Sequence, residues 1–376
     1  MDDDANAMLL WSNSAADGGV LNVSYSKYTP QTGWSAAQTL IGKARAPAVA
    51  LAGHGLGTWA VLSPWTESNP WPDYHAAAVF HFADTAFHYA SFETYEYQKT
   101  IGAPYVALAT TGGGVFETKV TTTYSSQLWT RHSHVTGNYA FEERQASTRG
   151  AFAVVDDSGR ESAFWWSDHD ELLASGVGAI AGVQVFDSAY GRGDVAYKVA
   201  PGGHGIAGWS KAPSPSKRWV STLRWSSTNQ GARTVNAEVS GSTYLTSLDV
   251  AVDGSGNSFL GWIEGGPAPV TIKVTRAPVD GEWDPVLTLR QAASADHLHV
   301  GADSHGNATL VWIERDSVAM SWSLWWTTYR PGLGWMTPAM VASDLVIPHD
   351  ILLATGGDGA AAIAWGDGLH VWAAAR

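Results

Sequence analysis

One phrase occurs twice in this chain, and its repetition limits the possible folds more than any other feature. Val250–Glu264 (VAVDGSGNSFLGWIE) is answered by Val300–Glu314 (VGADSHGNATLVWIE), so that Trp262 and Trp312 stand 50 positions apart. Each phrase reads as a short apolar strand, a tight Asp/Gly/Asn turn, and a second apolar strand carrying the Trp. An alternating segment follows each (Val270–Val274, and Trp322–Tyr329), then a turn ending in Trp283 or Trp335. That makes four strands per unit.

A period of about 40–50 residues with four strands per repeat is the pattern of a β-propeller blade. Weaker copies run from Pro47 to Trp59, Pro104 to Phe116, Ala151 to Trp165, Asp194 to Trp209 and Ile351 to Trp365. The expected fold is therefore all-β: one β-propeller domain of four-stranded blades over residues 1–376. Counting innermost strands gives seven blades, with the first strands, from Met8–Trp11 onward, completing the last blade and closing the ring by pairing both chain ends. Such closure removes exposed sheet edges. The alternative is eight blades, one of them lacking its innermost strand. Trp65–Thr100 and Asp168–Gly193 break the period and read as elongated loops, where function concentrates on repeat scaffolds.

Composition narrows the partners. Hydrophobic residues make up 45% and charged residues 15%, the profile of a folded, core-rich chain. A net charge of −13 argues against a nucleic-acid or anionic-membrane partner, which needs clustered Lys and Arg. No apolar run is long enough to span a bilayer as a helix. The absence of Cys removes thiol nucleophiles, thiolate metal sites and disulfides. The start Met1-Asp2-Asp3-Asp4 has neither the basic nor the apolar part of an export signal. The Trp-, Gly- and Ser-rich, Lys-poor composition nonetheless points to a secreted, periplasmic or cell-surface protein whose signal has been removed.

The turn Asp253…Gly256-Asn257 before Trp262, its copy Asp303…Gly306-Asn307 before Trp312, and the looser Asp157…Gly159 before Trp165 resemble the Asp-box of sialidase-like propellers. The resemblance implies a structural role, each Asp bonding the amides of its own turn. The Ser-x-Asp start and the Thr before Trp are missing. The chain's arginines (Arg131, Arg144, Arg149, Arg192 and Arg224 among them) match no catalytic arginine motif, so sialidase activity does not carry over.

Few residues suggest chemistry. Asp168, His169, Asp170 and Glu171 follow Trp165-Trp166 and form the densest polar cluster, a candidate acid–base or Ca²⁺ group that reads equally as a solvated acidic loop. His297 and His299 alternate on one innermost strand, and His349 and Asp350 open the next. Period-two alternation would put both histidines on one face, a geometry open to a metal, but no third ligand is evident and none is expected to be bound. No cofactor is expected.

The tryptophan surplus says more. Twenty Trp exceed what the repeat position and the closing turn require. Trp65, Trp71 and Tyr74 in the aromatic loop, with Trp129 and Trp325, are candidate ligand-binding residues, because indole and phenol rings stack on the apolar faces of sugars. Period two separates Trp325 from Trp322, Leu324 and Trp326. These features favour a non-catalytic binding propeller for carbohydrate. A protein-interaction scaffold and a carbohydrate-active hydrolase or lyase are the alternatives, since the fold hosts all of them.

Overall fold

Apolar alternation becomes antiparallel ladder from one end of the chain to the other, and among the described residues every regular element is a strand. The computed structural model describes side chains for residues 5–12, 22–40, 171–173, 195–200, 202–211, 218–226, 245–265, 269–316, 318–346, 348, 351–356, 359–366 and 370–375, and places strands in further segments between them.

Among the described residues the strands pair, mostly in sequence order, into eight sheets. They begin at Ala7, Ala44, Tyr105, Arg149, Val195, Tyr244, Ala295 and His349. The sixth is typical: Tyr244–Val252, Ser258–Gly265, Val270–Ala277 and Leu287–Ala292, each hydrogen-bonded to the next. The first sheet opens on the strand that bears Trp11 (Ala7–Asn13) and, among the described residues, has no counterpart of the strand that opens the others. Its equivalence is fixed by register. Trp11 faces Ser24 four residues before Tyr28, which faces Trp34; Trp312 faces Trp325 four residues before Tyr329, which faces Trp335. The eighth sheet has three strands, His349–Thr355, Ala361–Gly366 and Val371–Ala375. The segments expected as long loops contain strands: Ala76–Ala83 and Ala86–Thr94 in one, Glu171–Ser175 and Val183–Ser188 in the other.

By their contacts the residues group into two compact units. Met1–Val177 with Ala181–Asp187 holds the first four sheets, and Gly178–Ile180 with Ser188–Arg376 holds the last four. Within each unit, the opening strands of consecutive sheets lie side by side.

In the second unit the repeat tryptophans do what their spacing suggested. Trp262 shares a buried cluster with Ile206 and Val220 of the preceding sheet. Trp312 does so with Phe259, Ile272 and Val274, and Trp365 with Val311, Ile313 and Leu324. Each indole is thus buried in the face of the sheet before it. Strands in the middle of the stack are covered on both faces, so Ser258–Gly265 is buried at every position and loses its alternation. Gly261, just before Trp262, lies where a Cβ would come 2.7 Å from Leu310 of the next sheet. A larger residue there would have to displace the Leu310 side chain.

Five of the opening strands carry a one-residue β-bulge near their start. It falls between Arg45 and Ala48, Arg149 and Phe152, Leu245 and Ser247, Asp296 and His299, and His349 and Leu352. The opening strand is a sheet edge, so its outward amides have no ladder partner and need another acceptor. In the seventh sheet the preceding sheet supplies it. Ser247 Oγ accepts the Leu298 N–H at 3.0 Å, and Asp249 Oδ2 accepts the Val300 N–H at 2.9 Å. From the following sheet, Thr355 Oγ1 donates to the Ala302 carbonyl at 2.9 Å.

The turns after the opening strands form a second join. Asp253 Oδ1 accepts the N–H groups of Ser255 and Asn257, and its Oδ2 accepts from the Asn257 side-chain amide. Asp303 repeats all three bonds with His305 and Asn307. Both carboxylates are buried. Asp303 Oδ2 also accepts the N–H of Gly359, in the turn of the next sheet. Gly306 has φ +86°, and a Cβ on it would stand 3.2 Å from Asp253 Oδ2, so turn packs on turn. A third join comes from Arg224, buried on the fifth sheet. Its Nη groups donate to the carbonyls of Pro278, Val279 and Gly281 in the sixth, and its Nε to Ser258 Oγ.

Asp303→Ala is expected to cost about 3 kcal/mol and Asp253→Ala about 2 kcal/mol, the difference being the bond that leaves its own turn. Urea unfolding of the two variants, read as midpoint times slope, checks the order.

Candidate functional site

The residue directly across the ladder from the repeat Trp lies on the third strand and changes from sheet to sheet. It is Ser221 opposite Trp209, Lys273 opposite Trp262, Trp325 opposite Trp312 and Trp372 opposite Trp365. The scaffold is repeated while the chemistry at this position is not.

Two residues beyond each of the duplicated tryptophans stands a Glu, and the two meet different partners. Glu264 is buried and ion-paired to Lys273 of its own sheet. Glu314 is reached from the neighbouring sheet. Its Oε1 accepts from Arg290 Nε at 2.6 Å and from the Trp312 indole N–H at 2.9 Å. Arg290 stands on the fourth strand of the sixth sheet, opposite Ile272, and its guanidinium carbon lies 3.6 Å from the centre of the Trp325 ring. That is close cation–π packing across the cleft between sheets. Among the described residues, the two terminal amino groups of Arg290 and the Oε2 of Glu314 have no hydrogen-bond partner. The Arg290 side chain is 34% exposed and that of Glu314 12%. Planar donors and a carboxylate acceptor therefore sit together between the sixth and seventh sheets, packed against two indoles.

Of the residues singled out in the sequence, Trp325 lies in this cleft, half-buried, with one ring face under Arg290. Trp65, Trp71, Tyr74, Asp168, His169 and Asp170 lie outside the described residues. Trp129 is on the strand Ser126–Ser133, opposite Thr118 and Glu143, with its side chain also outside them. Glu171 opens the strand Glu171–Ser175 and is half-buried.

His297 and His299 do not form the same-face pair that alternation would give. The bulge between Asp296 and His299 places two residues, His297 and Leu298, opposite the one residue Trp312, with His297 at φ +51° and exposed. His299 instead faces the preceding sheet, its Nδ1 3.7 Å from Asp249 Oδ2. His349 and Asp350 open the equivalent strand of the eighth sheet, with side chains outside the described residues. Among the described residues no group of three or more His, Asp or Glu side chains could hold a metal ion. Glu314 was legible in the sequence as the last residue of the duplicated phrase; Arg290 had no sequence signal.

No protein-family model matches the chain, and no curated protein matches it. Among solved structures it is similar to the WD40 domain of SCAP from fission yeast, at 9% identity over 96% of this chain and 93% of that one, with a TM-score of 0.52. The fold is a β-propeller. Weaker similarity links this propeller to the Aleuria aurantia lectin complexed with Fucα1-6GlcNAc, at 10% identity over 90% and 96% of the two chains and a TM-score of 0.39. A Penicillium chrysogenum α-L-arabinanase follows at 10% identity over 89% and 93%, with a TM-score of 0.41. Neither score is high enough to carry an argument about ligand.

Arg290→Ala is expected to lower stability by about 1–3 kcal/mol, because it leaves Glu314 without its cation and uncovers Trp325. Arg290→Lys should restore only part of that, since an ammonium lacks the planar fork. Thermal unfolding of the two variants measures both.

Proposed function

We propose that this propeller is a non-catalytic binding protein for an uncharged, polyhydroxylated ligand, a carbohydrate, held in the clefts between sheets. The observation that carries the reading is the Arg290–Glu314 pair beside Trp325. Guanidinium N–H donors and a carboxylate oxygen a few ångströms apart match a vicinal diol, whose hydroxyls both donate and accept. The pair is internally neutral, so it selects for hydroxyls rather than for charge. Trp312 and Trp325 hold both groups in one geometry before any ligand arrives, which lowers the ordering cost of binding.

We read both compact units as one propeller domain over residues 1–376, belonging to an exported protein. A protein-interaction scaffold is the second reading. The observation favouring it is the set of exposed apolar side chains on outer strands and turns of the sixth and seventh sheets: Val286, Leu287, Leu333 and Met340.

A glycan array probed with the intact protein, followed by calorimetric titration of the hits, separates the readings. The carbohydrate reading expects saturable binding that weakens at least tenfold in Glu314→Gln, a loss of about 1.4 kcal/mol. Binding unaffected by that substitution, or no binding to any glycan, contradicts it.

A further inference from the structure

We propose that Trp372 is a second ligand subsite, one that works by stacking: its open indole face takes the apolar C–H face of a hexopyranose ring. The proposal rests on the carbohydrate reading above but on different residues. Register makes Trp372 the counterpart of Trp325, because each lies directly opposite the repeat Trp of its sheet. The two differ in what covers them. Arg290, which covers Trp325, stands opposite Ile272 on the fourth strand of the sixth sheet. The same place in the seventh sheet, opposite Leu324, is Ala342. A methyl group cannot reach over the next indole as a guanidinium does.

Exposure follows from that exchange. Trp372 is 39% exposed, and it alone of the described tryptophans counts among the exposed large apolar side chains. Its ring is held from behind. Trp365 stacks against it with centroids 6.3 Å apart and planes 18° from parallel. Trp365 is itself buried, in a cluster with Val311, Ile313, Leu324, Ile351 and Ile363. A rigid, half-open indole on a fixed support is a pre-organised stacking platform, and it loses little conformational entropy when a ligand settles on it. His370 stands beside the platform, its ring centroid 5.5 Å from that of Trp372 at 43°. The strand Val371–Ala375 has no charged side chain, and among the described residues no fourth strand pairs with it. A neutral ring meets no desolvated charge there. Sugar faces bearing several C–H groups suit an indole because its π face is electron-rich.

The test uses indole N–H resonances of the intact protein, titrated with methyl β-D-galactopyranoside and methyl β-D-glucopyranoside. Loss of one peak in Trp372→Phe assigns the Trp372 signal. The expected result is a saturable shift of that signal with at least one glycoside. Affinity should fall at least tenfold in Trp372→Ala and less in Trp372→Phe, which keeps an aromatic face. Glu314→Gln should leave the Trp372 shift intact. The remaining indole signals of each variant report whether it is folded. Glycosides that bind with affinity sensitive to Glu314→Gln but not to Trp372→Ala would overturn the stacking subsite and leave the carbohydrate reading standing. No shift and no binding with either glycoside would overturn the subsite, and the glycan array then decides the wider reading on its own.

Discussion

Burying an indole from one sheet in the face of the sheet before it is the interaction on which the rest of this structure depends. A four-stranded antiparallel sheet with two apolar faces cannot stand alone in water; each face must find cover. Trp262, Trp312 and Trp365 supply part of that cover at a fixed place in successive sheets, and all three are buried against the sheet before them. A ladder hydrogen bond adds about 1 kcal/mol net, whereas truncating a buried Trp costs about 3–5 kcal/mol. The joins between sheets therefore weigh as heavily as the ladders within them.

Polar groups set the spacing that the indoles exploit. The bulge repeated in five opening strands leaves edge amides directed at the neighbouring sheet, and Ser247 and Asp249 meet two of them. Asp303 ties its own turn and then the next one. Arg224 holds three carbonyls of a turn on the following sheet. Apart from the bond within Asp303's own turn, these join a side chain of one sheet to the backbone of another. A backbone partner fixes position without depending on which residue occupies the next repeat, and that leaves the position opposite each repeat Trp free to vary. Ser221, Lys273, Trp325 and Trp372 show how far it varies.

Much of the fold was legible because its signals are local. The duplicated phrase, the 50-residue separation of Trp262 and Trp312, and the Asp–Gly–Asn turns each lie within a short stretch of chain. The bulge at His297 was not legible, since one extra residue in a strand changes no composition and only the partner's register reveals it. It misdirected the expectation that His297 and His299 share a face. The gap between Trp65 and Thr100 read as loop because proline and aromatics dominate its start, yet Ala76–Ala83 and Ala86–Thr94 are strands. The candidate site was half visible. Trp325 stood out by its alternation, but Arg290 comes from another sheet, and no pattern in the sequence links it to Trp325 or Glu314.

The most direct test of the central claim is urea unfolding of Trp312→Ala, followed by amide exchange at Ile272 and Val274 in the sheet that its indole covers. If indoles weld sheet to sheet, the loss is about 3–5 kcal/mol. Protection at those amides then falls together with that of the seventh sheet. A loss below about 1 kcal/mol, smaller than the usual cost of emptying a buried Trp site, would show that each sheet is held by its own ladders. Unchanged protection at Ile272 and Val274 would show the same and contradict the account.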